Sequence, residues 1–302
     1  MNLSELPRWP PRPPDAHKGS MGRALLIAGS RGMAGAASLS AEAALRTGAG
    51  YLVAAVPGNL ALALSIRVPA AVLALQGDDR RESLEAGDWP ALQAEFHRAD
   101  AVAIGPGLGL RPATQAFFAA ALADMMAAAK PLVIDADGLN LLAMLGFGKQ
   151  PNSVSDARLP TNTVLSPHPG EAARILAWPH GEAVQQDRDR AAKELVNRTG
   201  ACIVLKGAPT LVAAPNRKTW INSSGNPGLA TAGSGDVLTG ILAGLLARGL
   251  SSWDAARLAV FVHGRSADLA AAELGEEAML ASDLARFLAP AIAECCSNSF
   301  PA

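Results

Sequence analysis

The stretch from Asn222 to Gly249, NSSGNPGLATAGSGDVLTGILAGLLARG, gathers the residue types that handle phosphate. Small residues from Thr231 to Gly235 let backbone amides approach a ligand closely. The apolar helix expected to start there offers unpaired N–H groups and roughly half a positive charge. Asp236 stands at this junction. It either caps the helix, as Asp often does, or serves as a base beside an anion site; G-x-G-D alone leaves both readings open. Further candidates follow short apolar runs: GSRGMAGAA (Gly29 to Ala37), GPGLG (Gly105 to Gly109), DADGLN (Asp135 to Asn140), SPHPGE (Ser166 to Glu171) and KGAPT (Lys206 to Thr210). Each alone is also a serviceable tight turn.

The elements that must position these residues read as alternating strands and helices. Arg23 to Ala28, Tyr51 to Val56, Ala101 to Ile104, Pro131 to Ile134, Thr163 to Leu165 and Cys202 to Leu205 have the composition of buried strands. Ala36 to Thr47, Thr114 to Ala129, Gly170 to Ala177 and Asp187 to Thr199 suit helices, and Thr210 to Ala213 with Thr219 to Ile221 suit a late hairpin. This order predicts an α/β fold with a mostly parallel central sheet and helices on both faces. Ligands of such sheets bind beyond the carboxyl ends of the strands, where all five turns fall. In the helix after Asp236, Val237, Leu238, Ile241, Leu242, Leu245 and Leu246 recur at helical spacing, and Gly240 and Gly244 admit a close neighbour. Arg248 and Gly249 form its expected stop.

Composition narrows the class. The chain has 302 residues, 50% hydrophobic and 18% charged, with a formal net charge of -1, so nothing favours nucleic acid or an anionic membrane surface. Cys202, Cys295 and Cys296 form no metal or redox motif, and the simplest expectation is a reducing cytoplasm. The N-terminal MNLSELPRWPPRPPDAHKG has no apolar signal core, and other apolar runs break before the ~18 residues of a membrane span. Residues 1–15 are expected as a flexible N-terminal tail, 16–292 as one domain and 293–302 as a C-terminal tail. No P-loop G-x-x-x-x-G-K-[ST] occurs. Gly29, Gly32 and Gly35 miss the dinucleotide fingerprint, and Ala55, Val56 and Pro57 end the second strand without an acid for a ribose.

KGSMGRALLIAGS, GMAGAA, RTGAG, IGPGLG, VIDADGLN, LSPHPGE, VLKG and NPGLATAGSGDVLTGILAGLLARG, in that order, span about Lys18 to about Ala272. Together they resemble the ADP/ATP-dependent NAD(P)H-hydrate dehydratases of the ribokinase-like superfamily. The resemblance implies a ribokinase-like three-layer fold and the repair of hydrated NADH or NADPH at the expense of ADP or ATP. The C6 hydroxyl of the hydrated ring is phosphorylated and the phosphate eliminated with help from the ring nitrogen.

By the same resemblance, Asp236 is the catalytic base and contacts substrate, and the backbone of Ala232, Gly233, Ser234 and Gly235 forms the anion hole. Lys206, Gly207, Ala208, Pro209 and Thr210, with Gly235, bind the nucleotide, and Ala36, Gly109 and His168 contact the hydrated dinucleotide. Lys206 also reads as a solvated strand-end lysine, and His168 as a residue that caps or stiffens a turn between prolines. His263, within an apolar stretch, reads as a structural imidazole; His17, His97 and His180 carry no role. Asp135, Asp137 and Glu171 could help hold Mg²⁺ or merely stabilise their loops, so the metal ligands stay open. ADP is the expected donor, and a cytoplasmic homotetramer the expected assembly. Many relatives carry an N-terminal epimerase domain; here the match begins near Lys18, so an epimerase is expected as a separate protein. Ser234 stands where Thr is frequent in relatives, and Gly138 where Ala is frequent. The competing readings are a sugar or vitamin-precursor kinase of the same superfamily and a nucleotide-binding regulator without turnover.

Overall fold

Residues 6–147 and 158–297 are described by a computed structural model. The elements run β1 (Arg23–Ile27), α1 (Ala34–Arg46), β2 (Tyr51–Pro57), α2 (Ala61–Arg67), β3 (Val72–Gln76), α3 (Trp89–Arg98), β4 (Ala101–Ile104), α4 (Pro112–Ala128), β5 (Leu132–Ile134) and α5 (Asp137–Met144). They continue with β6 (Thr163–Leu165), α6 (Pro169–Leu176), α7 (Gly181–Gln186), α8 (Arg188–Thr199), β7 (Cys202–Leu205), β8 (Leu211–Ala213), β9 (Trp220–Ile221), α9 (Ser234–Ala247), α10 (Ser252–Leu274) and α11 (Ala281–Ser297). One sheet has the order β3-β2-β1-β4-β5-β6-β7-β8-β9. Pairing is parallel from β3 to β7, and the expected hairpin adds β8 and β9 antiparallel.

Strand alternation divides the interior into two cores. In β1, Ala24 and Leu26 face the core shared with α1, α9, α10 and α11, whereas Leu25 and Ile27 face the core under α3 to α6 and α8. Both sets are apolar because both sheet faces are covered by helices, which gives the three-layer α/β architecture expected from the sequence. The small residues of α9 bring α1 unusually near: a Cβ on Gly240 would lie 2.2 Å from the Ser40 carbonyl oxygen, and one on Gly244 2.8 Å from that of Ala44. Nothing larger than glycine fits at either place without displacing α1.

Two sets of expectations need correcting. Sequence patterns omit β3 and α3. β3 is the sheet edge, and its burial lacks a clean alternation because only one neighbouring strand covers it. The expected tails also meet the core. Trp9 is only 8% exposed and packs into the α1–α9 core, while α11 runs through the expected boundary at 292/293 and buries Cys295. Proline-rich sequence obscured the first of these, since a single aromatic anchor carries no periodicity. Residues 1–5 and 298–302 of those tails lie outside the described residues. Among the described residues, no helix is long and apolar enough to cross a membrane.

Candidate active site

The strand order reverses about β1, which lies between β2 and β4, so the loops leaving β1 and β4 diverge and open a crevice at their carboxyl ends. Hydrogen bonds lock the two loops together: Gly29 N–H donates to the Pro106 carbonyl at 2.8 Å, and the buried Ser30 hydroxyl to the Gly107 carbonyl at 2.8 Å. Gly107 has φ +63, and a Cβ there would lie 3.1 Å from the Ala36 Cβ, so the Ala36 loop and the 105–109 loop are in direct contact. Gly109 N–H donates to Asp137 Oδ2 at 2.8 Å. Ala36, Gly109 and Asp137, distant in sequence, thus share one wall.

The opposite wall is built on α9. Its N-cap is Gly233, at φ +91, and no side chain caps this helix. The capping reading of Asp236 is therefore excluded: the carboxyl occupies the first turn without bonding the helix end. Two other side chains fix that turn. The Ser40 hydroxyl of α1 donates to the Asp236 carbonyl at 2.9 Å, and buried His263 of α10 places Nε2 2.9 Å from the Ser234 carbonyl. Because a carbonyl only accepts, Nε2 must carry the proton. Burial pushes the His263 pKa down to about 4, so the ring is neutral at ordinary pH. His263 is the structural imidazole expected from the sequence, and its partner lies in the segment expected to form the anion hole.

Between the walls lies a charged cluster. Lys206, at the end of β7, donates from Nζ to Asp135 Oδ1 at 2.8 Å and sits 3.8 Å from Glu171 Oε2. The Thr239 hydroxyl donates to Asp135 Oδ2 at 2.6 Å, so both oxygens of the fully buried Asp135 are engaged. Burial would lower the Lys206 pKa, but Asp135, Glu171 and Asp236 outweigh it and hold the ammonium above its ordinary range. The reading of Lys206 as a solvated lysine is replaced by an ion-paired one. A Cβ on Gly235 would lie 3.3 Å from Lys206 Nζ, which places the lysine beneath the Gly233–Gly235 loop. Burial, reinforced by Asp135 and Asp137 and opposed by Lys206, pushes the Asp236 carboxyl up to about 7. Glu171 is likewise raised to about 7, by burial first and then Asp135.

His168 caps α6. Its Nδ1 accepts from Gly170 N–H at 3.0 Å, while its own N–H donates to Glu171 Oε2 at 2.8 Å, a reciprocal capping box. The turn-capping reading of His168 holds, and it leaves Nε2 as the proton-bearing atom on a half-exposed ring. Beyond Lys206 the loop Gly207–Ala208–Pro209 is exposed and Thr210 half-buried. Arg188 grips this loop, donating from Nη2 to the carbonyls of Leu205 at 3.1 Å and Pro209 at 2.8 Å.

Ser40, Thr239, Arg188 and the His263 contact escape a reading of sequence. Thr239 alone left a signal, as a polar residue one turn after Asp236 in an otherwise apolar helix. Among the described residues, no group of three or more His, Cys, Asp or Glu side chains forms a metal cage. The carboxylates of Asp135, Glu171 and Asp236 nevertheless outnumber Lys206; burial first, and then Asp135, raises the pKa of Glu171 and Asp236. Such a donor set fits a hydrated divalent cation held mainly by ligand phosphates. Asp135 already accepts one hydrogen bond at each oxygen.

An open parallel sheet whose strand ends hold a glycine-rich helix start, an ion-paired lysine and a carboxyl without a hydrogen bond from the described residues places this chain among enzymes of the ribokinase-like fold. A protein described as a ribokinase-like superfamily member from Enterococcus faecalis superposes with a TM-score of 0.79 at 28% identity, over 97% of this chain and 93% of its own. The chain belongs to the NAD(P)H-hydrate dehydratase family, whose model matches residues 24–290. It is 43% identical over 285 residues to the bifunctional NAD(P)H-hydrate repair enzyme Nnr of Escherichia coli K12, covering 94% of this chain and 50% of that protein. Its counterpart in Thermofilum pendens is 39% identical over 284 residues, covering 94% and 52%. The chain thus spans about half the length of the curated relatives it matches. The ADP/ATP-dependent NAD(P)H-hydrate dehydratase of Bacillus subtilis, co-crystallised with ATP and Mg²⁺, has a TM-score of 0.76 at 31% identity, covering 95% of both chains. Hydroxyethylthiazole kinase from Pyrococcus horikoshii, at 16% identity and a TM-score of 0.56, shares the fold alone.

Proposed function

We propose that this protein restores hydrated NADH or NADPH to the reduced dinucleotide, consuming ADP or ATP. The observation that carries the reading is Asp236: a carboxyl poised at about 7, without a hydrogen bond from the described residues, in the first turn of a helix beside an ion-paired lysine. A base near neutrality suits removal of a hydroxyl proton at physiological pH. Asp236 takes the proton of the C6 hydroxyl as that oxygen attacks the terminal phosphoryl group of the nucleotide; the bond from phosphorus to the bridging oxygen breaks and AMP, or ADP from ATP, departs. The amides of Ala232 to Gly235 and the start of α9 hold the charge that develops on the phosphoryl oxygens, where fixed donors act most strongly. Lone-pair donation from the ring nitrogen then expels inorganic phosphate from C6, and loss of a proton from C5 to water neutralises the resulting iminium and restores the dihydronicotinamide. Phosphate leaves where hydroxide does not.

Lys206 faces the same phosphates, and the Gly207–Thr210 loop, fixed by Arg188, flanks the nucleotide. Mg²⁺ lowers the charge on those phosphates when bound; Asp137 and Glu171 retain lone pairs to hold it directly or through water. On the dinucleotide side, Ala36 and Gly109 leave room for the substrate backbone, and His168 Nε2 donates to one of its oxygens. Identities of 31–43% to dehydratase and repair enzymes, against 16% to a kinase, support this reading over a sugar or vitamin-precursor kinase. The test mixes protein and Mg²⁺ with hydrated NADH and either ADP or ATP, and follows the near-ultraviolet absorbance of the restored ring. Recovery with release of phosphate is expected, with ADP the preferred donor; folded protein that binds nucleotide but restores nothing would refute the reading.

A further inference from the structure

A cavity of about 630 Å³ lies far from Asp236. Gly22, just before β1, fixes its location: a Cβ there would fall 2.0 Å from the Ala247 carbonyl oxygen, so α9 ends where β1 begins. The cavity therefore opens at the amino ends of the strands, opposite the active site, between residues 8–12, the ends of α1 and α9, and α11. Four arginines line it, Arg8, Arg12, Arg46 and Arg248, with Trp9 and Ile292 on its apolar side.

Among the described residues, the charge there is not balanced by protein: Glu42 pairs with Arg46 at 2.9 Å, and no acidic side chain lines the cavity. The carboxyl ends of α1, α9 and α11 each contribute about half a negative charge. Against four guanidinium groups, with Glu42, this leaves an excess of about one and a half positive charges among the described residues. Backbone carbonyls aim the arginines: Arg248 donates to Pro11 O at 3.1 Å and Thr47 O at 3.3 Å, and Arg12 to Gly48 O at 3.3 Å. Arg248 Nε is buried with no acceptor among the described residues, which disfavours the protein with this site empty of an anion. Burial first, and then Arg12, makes Arg248 less basic than an ordinary arginine, as expected of guanidinium groups crowded without a counter-anion.

We infer that this cavity is a second ligand site, for a small organic phosphate whose dianionic head meets the arginines and whose apolar body lies along Trp9 and Ile292. Guanidinium forks match phosphate oxygens, a dianion matches the excess charge, and the volume is that of a small-molecule pocket, typically about 300–1,000 Å³. Nothing in the dehydration chemistry uses these residues.

Cys296 lines the cavity and is exposed, whereas Cys202 and Cys295 are buried, so alkylation of Cys296 by iodoacetamide reports on this place alone. Its rate, followed by mass spectrometry, is measured against phenyl phosphate, with phenol and inorganic phosphate as controls. Phenyl phosphate is expected to slow the reaction saturably, by about threefold or more at millimolar concentration; phenol is expected to do nothing. Arg8→Glu with Arg46→Ala should abolish the protection, and both side chains are exposed. Should that pair disturb folding, Arg8→Glu alone serves, because Arg8 has no hydrogen bond or ion pair among the described residues. Absence of protection in the native protein, or equal protection in a folded arginine variant, would overturn the assignment. Equal protection by inorganic phosphate would overturn the organic ligand.

Discussion

Replacing Asp236 by Asn should stabilise the protein while disabling it. In the fold the carboxyl titrates at about 7, against an ordinary 3.8. The gap is about three pH units, and at about 1.4 kcal/mol per unit the ionised group costs at most about 4 kcal/mol. Asp236 is partly exposed, so solvent screening reduces this to about 2 kcal/mol. Because the folded pKa is the higher one, the cost is absent near pH 4, accumulates as pH rises through about 7 and is constant above it. Asn carries none of it. The variant should therefore melt about 3 °C above the native protein at about pH 8, and the difference should vanish toward about pH 4. Activity moves the other way. Loss of the base should lower kcat/KM by about 10²–10⁴, and the native profile should fall about tenfold per pH unit below about 7, with no such limb in the variant. Glu171 also titrates at about 7, so Glu171→Gln is the control: with Asp236 as the base, its acid limb persists. An Asn variant that melts lower than native at about pH 8, or that keeps the acid limb, would refute the reasoning.

Two further substitutions probe the support of this residue. His263→Phe removes the donor to the Ser234 carbonyl and should lower kcat about tenfold while native-like circular dichroism is retained, with Gln recovering part of the loss; since His263 titrates at about 4, its ionisation should leave no mark on the native profile between about pH 5 and 8. Gly240→Ala would push a Cβ into the Ser40 carbonyl, 2.2 Å away, and should cost about 2 kcal/mol or more in urea unfolding. Its activity should fall as well, because the Ser40 hydroxyl also holds the Asp236 carbonyl.

Much of this protein was legible without coordinates because its signals are local. Buried strands such as Cys202–Leu205 are continuous apolar runs, and the order of strands and helices prescribes a parallel sheet. Gly240 and Gly244 marked a close helix contact because four-residue spacing places them on one face. The loops at the strand ends, Lys206 and Asp236 could be singled out from residue type and position alone. Trp9 and β3 were missed for the complementary reason: one anchoring aromatic and one edge strand leave no period to detect.

What surrounds Asp236, by contrast, was decided in three dimensions. Capping and base catalysis use the same residue at the same place in a sequence. Only the geometry shows a glycine at the N-cap, an uncapped helix end, and a carboxyl whose pKa is raised by burial and by Asp135, about a hundred positions away. The lysine that opposes this shift, the Asp135 carboxylate that Thr239 bonds and the imidazole under Ser234 come from three other segments of the chain. A pKa is a sum over spatial neighbours, and sequence order does not say which groups those are.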